Sequence, residues 1–182
     1  EASAQAEEYL QKCIENQDSA GGVVSCKVHG MPAGIGEPVF DKLDACLGQA
    51  VMSIGAVKAF AVGDGCEVSK KNGSTNNDAF CNVNGQISKK TNHAGGILGG
   101  ISDGSDIILR AYFKPTPSIY QKQQTVNQAG EEIEIQIKGR HDPIVVSRAV
   151  VVVEAMTAVT ILDELLRNMT SRLDGIKKFY HK

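Results

Sequence analysis

Three short stretches hold the residues best suited to chemistry: Thr91–Ser105 (TNHAGGILGGISDGS), Lys114–Ser118 (KPTPS) and Gly139–Pro143 (GRHDP). The first carries two glycine pairs, Gly95-Gly96 and Gly99-Gly100, and then Gly104, beside His93. Glycine at this density lets backbone N–H groups turn and approach a ligand closely, as a surface for a phosphate or a flat cofactor requires. The same composition marks an ordinary loop, and the stretch on its own reads as one. The second sets a cation, Lys114, against two prolines of restricted φ. The third holds Arg140, His141 and Asp142 before a proline: a planar cation suited to phosphate or carboxylate and a carboxylate able to accept a proton. On residue types alone, Arg140 and Asp142 also fit a surface ion pair, His93 a cap on the glycine loop, and His141 a packing role.

The elements that must position these residues follow from periodicity. Ala4–Asn16 places Tyr9, Leu10, Cys13 and Ile14 on one helical stripe, and Asp18–Gly22 stops it. Val24, Cys26 and Val28 alternate with polar residues, giving a strand over Gly22–Val28; His29–Pro38 is a Gly/Pro loop. Leu43, Cys46, Leu47, Ala50 and Val51 predict a helix with Asp41 as N-cap. Ala56–Val62 is a strand, and the polar run Lys70–Asn77 reads as a mobile surface segment. Asn84-Gly85 between Phe80–Val83 and Gln86–Lys89 is a type I′ hairpin signal, because both central residues need positive φ.

Asp106–Phe113 is apolar on both faces apart from Arg110 and suits an interior strand. Ile133, Ile135 and Ile137 predict a strand with one wet face that delivers Arg140, His141 and Asp142 at its end. Ser147–Leu173 keeps helical period through four consecutive valines and predicts one long helix, buried on most sides. Helices and hairpin-linked strands without βαβ alternation argue for α+β.

The 182 residues suffice for one domain with a substantial core, and 42% hydrophobic with 22% charged residues is ordinary for a globular protein. A net charge of −2 with no basic run beyond a Lys-Lys pair gives no footprint for nucleic acid. The longest apolar run, Ala149–Val153, is too short to span a bilayer, and the first residues have neither the basic nor the apolar region of a secretory signal. Five cysteines without CxxC spacing read as reduced, mostly buried thiols of a cytosolic protein, not as a metal site.

Taken together and in order, DSAGGVVSC, GMPAGIGEPVFDKLDACLGQAVMSIGAVK, TNHAGGILGGISDGSDI, FKPTPSI, QTVNQAGEE and GRHDPIVVSRAVVVVEAM resemble chorismate synthase. Several colinear motifs make the resemblance specific. It covers nearly all of the chain but only the C-terminal half of the family's pattern. The segments with the Gly-Glu-Ser-His motif, a second histidine and further arginines have no counterpart, so residues 1–182 are expected to be a single domain excised from a longer chain.

The resemblance implies a β-α-β sandwich of antiparallel sheets around a buried helix layer, assembled as a homotetramer in the cytoplasm. It implies anti-1,4 elimination of phosphate from 5-enolpyruvylshikimate 3-phosphate to give chorismate, with reduced FMN required and NADPH as reductant in some members. FMN would contact Gly55, Ala56, Gly99, Lys114, Pro115, Thr116, Pro117, Ser118 and Arg140. Asp142, in an Arg-x-Asp-Pro motif, would be catalytic, with Arg140 facing the anionic substrate. Gly55 stands where the family often has Asn, and Ile144 replaces a frequent Cys. Within this frame the alternative function is a structural or oligomerisation domain that neither binds flavin nor turns over.

Overall fold

β7 (Ile107–Phe113) runs through the middle of the main sheet, because its residues are covered on both faces. Ile107, Leu109, Ala111 and Phe113 are buried, while Ile108, Arg110 and Tyr112 between them are half-covered. β1 (Gly22–Val28) and β2 (Val57–Val62) pair antiparallel on its two sides, giving the order β1-β7-β2. These are the strands expected from alternation. The computed structural model describes residues 2–139 and 142–180; Arg140 and His141 lie outside the described residues.

Helices α2 (Leu43–Met52) and α4 (Val146–Asn168) pack on one face of this sheet. Leu43, Leu47 and Val51 of α2 and Ala149, Val153 and Ile161 of α4 join Val24, Val57, Leu109 and Phe113 in one apolar core. The result is α+β, and the chain supplies a sheet layer and a helix layer. α1 (Ala2–Glu15) precedes β1 and seats Cys13, although Tyr9 and Ile14 of its expected stripe stay exposed. No helix among the described residues is long and apolar enough to cross a membrane.

Several expectations are corrected. α2 is capped not by Asp41 but by backbone: Lys42 is the N-cap residue without a side-chain bond, and the Leu43 N–H donates to the Gly100 carbonyl at 2.8 Å. Asp41 instead accepts from Arg167 Nη2 at 3.1 Å, an attraction across 126 residues that outcompetes a local cap. The polar segment 70–77 follows a 3₁₀ turn (Gly65–Lys70) and holds one helical turn, α3 (Gly73–Asn76), at whose start the Asn72 N–H donates to Thr75 Oγ1 at 3.2 Å. Of the five thiols only Cys13 is buried and Cys66 is exposed.

The hairpin β3 (Phe80–Val83) and β4 (Gln86–Lys89) forms as expected, with Asn84 at φ +53° and Gly85 at +84°. The glycine stretch holds a second, smaller hairpin, β5 (Ile97–Leu98) and β6 (Ile101–Ser102), turned by Gly99 and Gly100 at φ +60° and +86°. β9 (Glu132–Ile135) ends before Gly139 and pairs with β8 (Gln123–Val126), a strand that periodicity does not signal; Ile133 is half-buried and Ile135 exposed.

The expected long helix forms as α4 but ends at Asn168, five residues before Leu173, where a separate helix α5 (Leu173–Tyr180) begins. Thr170 and Ser171 hydroxyls donate to the Arg167 and Asn168 carbonyls and end α4 there. α4 is also not buried on most sides. Ala149, Val153, Thr157 and Ile161 face the core, whereas Val151, Val159, Leu162 and Leu166 are exposed by more than half. Two apolar faces explain the all-round hydrophobicity: one meets the sheet, and the other has no cover among the described residues.

Candidate active site

The antiparallel register brings the expected residues of three separate segments to one end of the sheet. β2 begins where β7 ends, with Val57 opposite Phe113, and the Lys114 N–H donates to the Ala56 carbonyl at 2.9 Å. Gly55-Ala56 therefore lies beside Lys114–Ser118. Gly22 pairs with Phe113 on the other side, which adds the Asp18–Gly22 turn to the same end. The Ala20 N–H donates to the Pro143 carbonyl at 2.8 Å, and Ala20 bridges to Ile144, so the segment carrying Asp142 is tied to the same turn.

The turn after α1, Ser118–Tyr120 and the Asp142 segment line a cleft of about 220 Å³, whose walls include Gln17, Ser19, Ser118, Tyr120, Asp142 and Pro143, while Gly55-Ala56 and Lys114–Pro117 lie outside those walls. The Ser19 hydroxyl donates to the Thr116 carbonyl at 2.7 Å and holds the proline-flanked turn in place. Ala56 sits at φ +70°, a left-handed conformation that costs a residue with Cβ about 1–2 kcal/mol. At Gly55 the space a side chain would fill is open, so its replacing Asn removes a polar group from an accessible position. The Thr116 hydroxyl is buried without a hydrogen-bond partner among the described residues, an arrangement that costs free energy unless a ligand completes it. Lys114 is exposed.

Asp142 is half-buried and pairs with Arg148 in the first turn of α4, Nη1 to Oδ2 at 2.8 Å. The expected partner, Arg140, is outside the described residues. Arg148 is the residue the motif reading passed over. Its signal was available, since a cation in the first turn of a helix is unfavourable to the helix dipole and asks for another explanation. On the same side, the Tyr120 hydroxyl donates to the Gly139 carbonyl, anchoring the chain just before Arg140.

The glycine stretch lies at the other end. Gly99 and Gly100 adjoin the first residue of α2, and Gly55 follows its last turn; ten residues of helix, about 15 Å, separate them. Within this chain Gly99 is thus not brought to the cleft, although it is exposed with open space around it. Most other glycines here serve close backbone contact and do not form an open cradle. A Cβ on Gly63 would lie 2.0 Å from the His93 carbonyl oxygen, and one on Gly95 would lie 2.3 Å from the Gly63 nitrogen.

The glycine stretch is held by buried charge. Asp78 accepts from the Thr91 hydroxyl at 2.7 Å and from the N–H groups of His93 and Ala94 at 2.7 and 2.9 Å. Lys89 Nζ lies 2.6 Å from Asp103 and 3.6 Å from Asp78, all three side chains being at least nine-tenths buried. His93 Nδ1 is 2.6 Å from Asp64 Oδ2, and Lys71 also meets that carboxylate. The Lys71 ammonium, with His93, draws the Asp64 carboxyl below its ordinary value despite partial burial.

Burial alone would raise the Asp78 carboxyl, but its backbone and hydroxyl donors and Lys89 outweigh it and lower it to about 2. A carboxylate depressed from 3.8 on folding contributes stability that is complete above about pH 4 and lost as pH falls through about 2. Asp78 is therefore expected to supply on the order of 2 kcal/mol at neutral pH. In urea titrations Asp78→Asn should be less stable at pH 7 and lose less stability than the parent between about pH 4 and pH 2. Parallel loss in the two chains would remove Asp78 as the acid-sensitive lock.

The family model for chorismate synthase matches residues 1–166. The chain is 63% identical to chorismate synthase of Lachnoclostridium phytofermentans and 58% identical to that of Agathobacter rectalis, in each case over all of this chain and 50% of the relative. Its fold superimposes on a crystal structure of chorismate synthase with a TM-score of 0.75 at 27% identity, over 96% of this chain and 46% of that one. The chain spans about half the length of the curated relatives it matches. With the strand-end cleft and its motif residues in the positions described, the chain belongs to the chorismate synthase family.

Proposed function

We propose that the strand-end cleft is one flank of a reduced-FMN site in an enzyme that eliminates phosphate from 5-enolpyruvylshikimate 3-phosphate to form chorismate. The observation that carries this reading is the Thr116 hydroxyl, buried and without a partner among the described residues, in a turn that lies beside Gly55-Ala56, presents Lys114, and shares a cleft with Asp142 through Ser118. A hydroxyl, an ammonium and backbone donors fit the polar edge of a flavin, and the open space at Gly55 leaves room for it. The cleft is smaller than the roughly 300–1,000 Å³ that holds a whole small molecule, which supports a second wall drawn from the rest of the family's length.

Bound reduced FMN supplies the electron-rich ring that the elimination requires. Within the chain, Gly55, Ala56, Lys114, Pro115, Thr116, Pro117 and Ser118 would hold and orient it. The Asp142 carboxylate takes up, directly or by relay, the proton that the substrate loses, while phosphate departs with the electron pair of its C–O bond, so the reaction has no net redox change. Arg140, on the family pattern, would face the anionic substrate, and Gly99 would make a flavin contact separate from the strand-end cluster. The homotetramer, the cytoplasmic location and NADPH as reductant are carried over from the family resemblance alone, as is the reading of residues 1–182 as one C-terminal domain.

FMN titration of this 182-residue chain and of an enzyme of full family length, read by flavin fluorescence, tests the proposal. Thr116→Val keeps the shape and removes the hydroxyl. It should weaken FMN binding about fivefold in the full-length enzyme and leave the flavin-free protein equally or more stable, because an unsatisfied buried group is gone. Unchanged affinity would take Thr116 out of the site. Binding by the full-length enzyme but not by this chain would favour the alternative reading, in which the chain alone is scaffold. Failure of the full-length enzyme to bind FMN would end the flavin reading.

A further inference from the structure

The Asp142–Arg148 pair stands where helix energetics disfavour it. Arg148 is the third residue of α4, whose first turn has no acidic residue and whose N-cap, Val145, provides no side-chain bond. A cation there faces the positive end of the helix dipole and costs about 0.3–1 kcal/mol. Nor does the pair repay this as a surface salt bridge. Arg148 is 71% exposed and Asp142 36%, a setting in which ion pairs contribute about 0–1 kcal/mol. The backbone between the two residues is, by contrast, firmly tied. Pro143 and Ile144 join Ala20, and Val146 packs so closely on Gly22 that a Cβ on that glycine would lie 2.8 Å from the valine methyl. The Arg148 guanidinium is thus held 2.8 Å from Asp142 Oδ2 by anchored chain.

We infer that Arg148 is a positioning residue for Asp142: its guanidinium engages one carboxylate oxygen and fixes the orientation in which the carboxylate receives the substrate proton. The inference rests on the assignment of Asp142 proposed above. A residue that acts through another shows itself as a loss in kcat without a loss of fold, and its effect vanishes when its target is removed.

The test uses an enzyme of full family length carrying this sequence, with chorismate formation, FMN affinity and thermal unfolding measured on each variant. Arg148→Ala should lower kcat roughly 10- to 100-fold, the range that small misplacement of a reacting group produces. FMN affinity and the KM for 5-enolpyruvylshikimate 3-phosphate should change little, and Tm should hold or rise because the cation has left the helix N-terminus. Added guanidinium at millimolar levels, too dilute to denature, should restore part of the lost rate, and Arg148→Lys should retain more activity than Arg148→Ala. In an Asp142→Asn background, Arg148→Ala should have no further effect. Undiminished kcat in Arg148→Ala, or losses that multiply in the double variant, would overturn the inference while leaving Asp142 in place. A Tm that falls in Arg148→Ala, with guanidinium failing to restore rate, would make Arg148 a structural residue. If Asp142→Asn by itself retains full kcat, the underlying site assignment fails instead.

Discussion

Asp142→Asn, in an enzyme of full family length, is expected to lower kcat by about 10²–10⁴-fold, the contribution of a well-placed proton acceptor. The substitution keeps the side chain's shape and removes its ability to take a proton. The local fold should survive, because Pro143 and Ile144, not the Asp142 side chain, tie this segment to Ala20. FMN affinity should stay near that of the parent, since Thr116 and its neighbours hold the flavin in the proposed reading. The informative measurement is single-turnover chorismate formation beside FMN titration. A decline in kcat smaller than about tenfold would put the acceptor elsewhere, and a parallel loss of FMN binding would make Asp142 a binding group.

Gly63→Ala should be severely damaging, since its added methyl meets the tightest backbone approach among the glycines compared. The added carbon would sit 2.0 Å from the His93 carbonyl oxygen and 2.6 Å from the Gly95 nitrogen, and Gly63 already has φ +57°. All these neighbours are backbone, and that backbone is held. Gly63 N–H donates to Ile108, Asp64 N–H donates to His93, and Arg110 Nη1 donates to the Gly63 carbonyl at 2.8 Å. Relief requires parting the β2–β7 end from the glycine stretch, a loss above about 4 kcal/mol that ranks with the severe class of point mutations. Gly85→Ala is the control: φ is +84° but the space is open, so only the left-handed penalty of about 1–2 kcal/mol applies. Urea unfolding of both variants decides; equal destabilisation would mean that conformation, not close approach, governs Gly63.

What could be read directly was whatever depends on neighbours a few residues away. β1 follows from period-two alternation, β7 from a run apolar on both faces, the Asn84-Gly85 turn from the φ that its two residues accept, and α4 from a helical period strong enough to override four valines. The motif residues were equally legible, because their types and order survive in the linear chain.

Tertiary structure decided which of them meet. It drew Asp41 away from capping α2 to Arg167, and it joined Gly55-Ala56, Lys114–Ser118 and Asp142 through strand register. It also set Gly99 a helix length away, and used most of the glycine stretch for backbone-to-backbone contact. One apolar face of α4 met the sheet and the other did not, although the two look alike in composition. The division has a physical cause. Dihedral preference and side-chain periodicity are properties of a residue and its near neighbours, so sequence carries them. A hydrogen bond between Ala20 and Pro143, or an ion pair between Asp41 and Arg167, forms only once distant segments have been brought together by burial of a shared core.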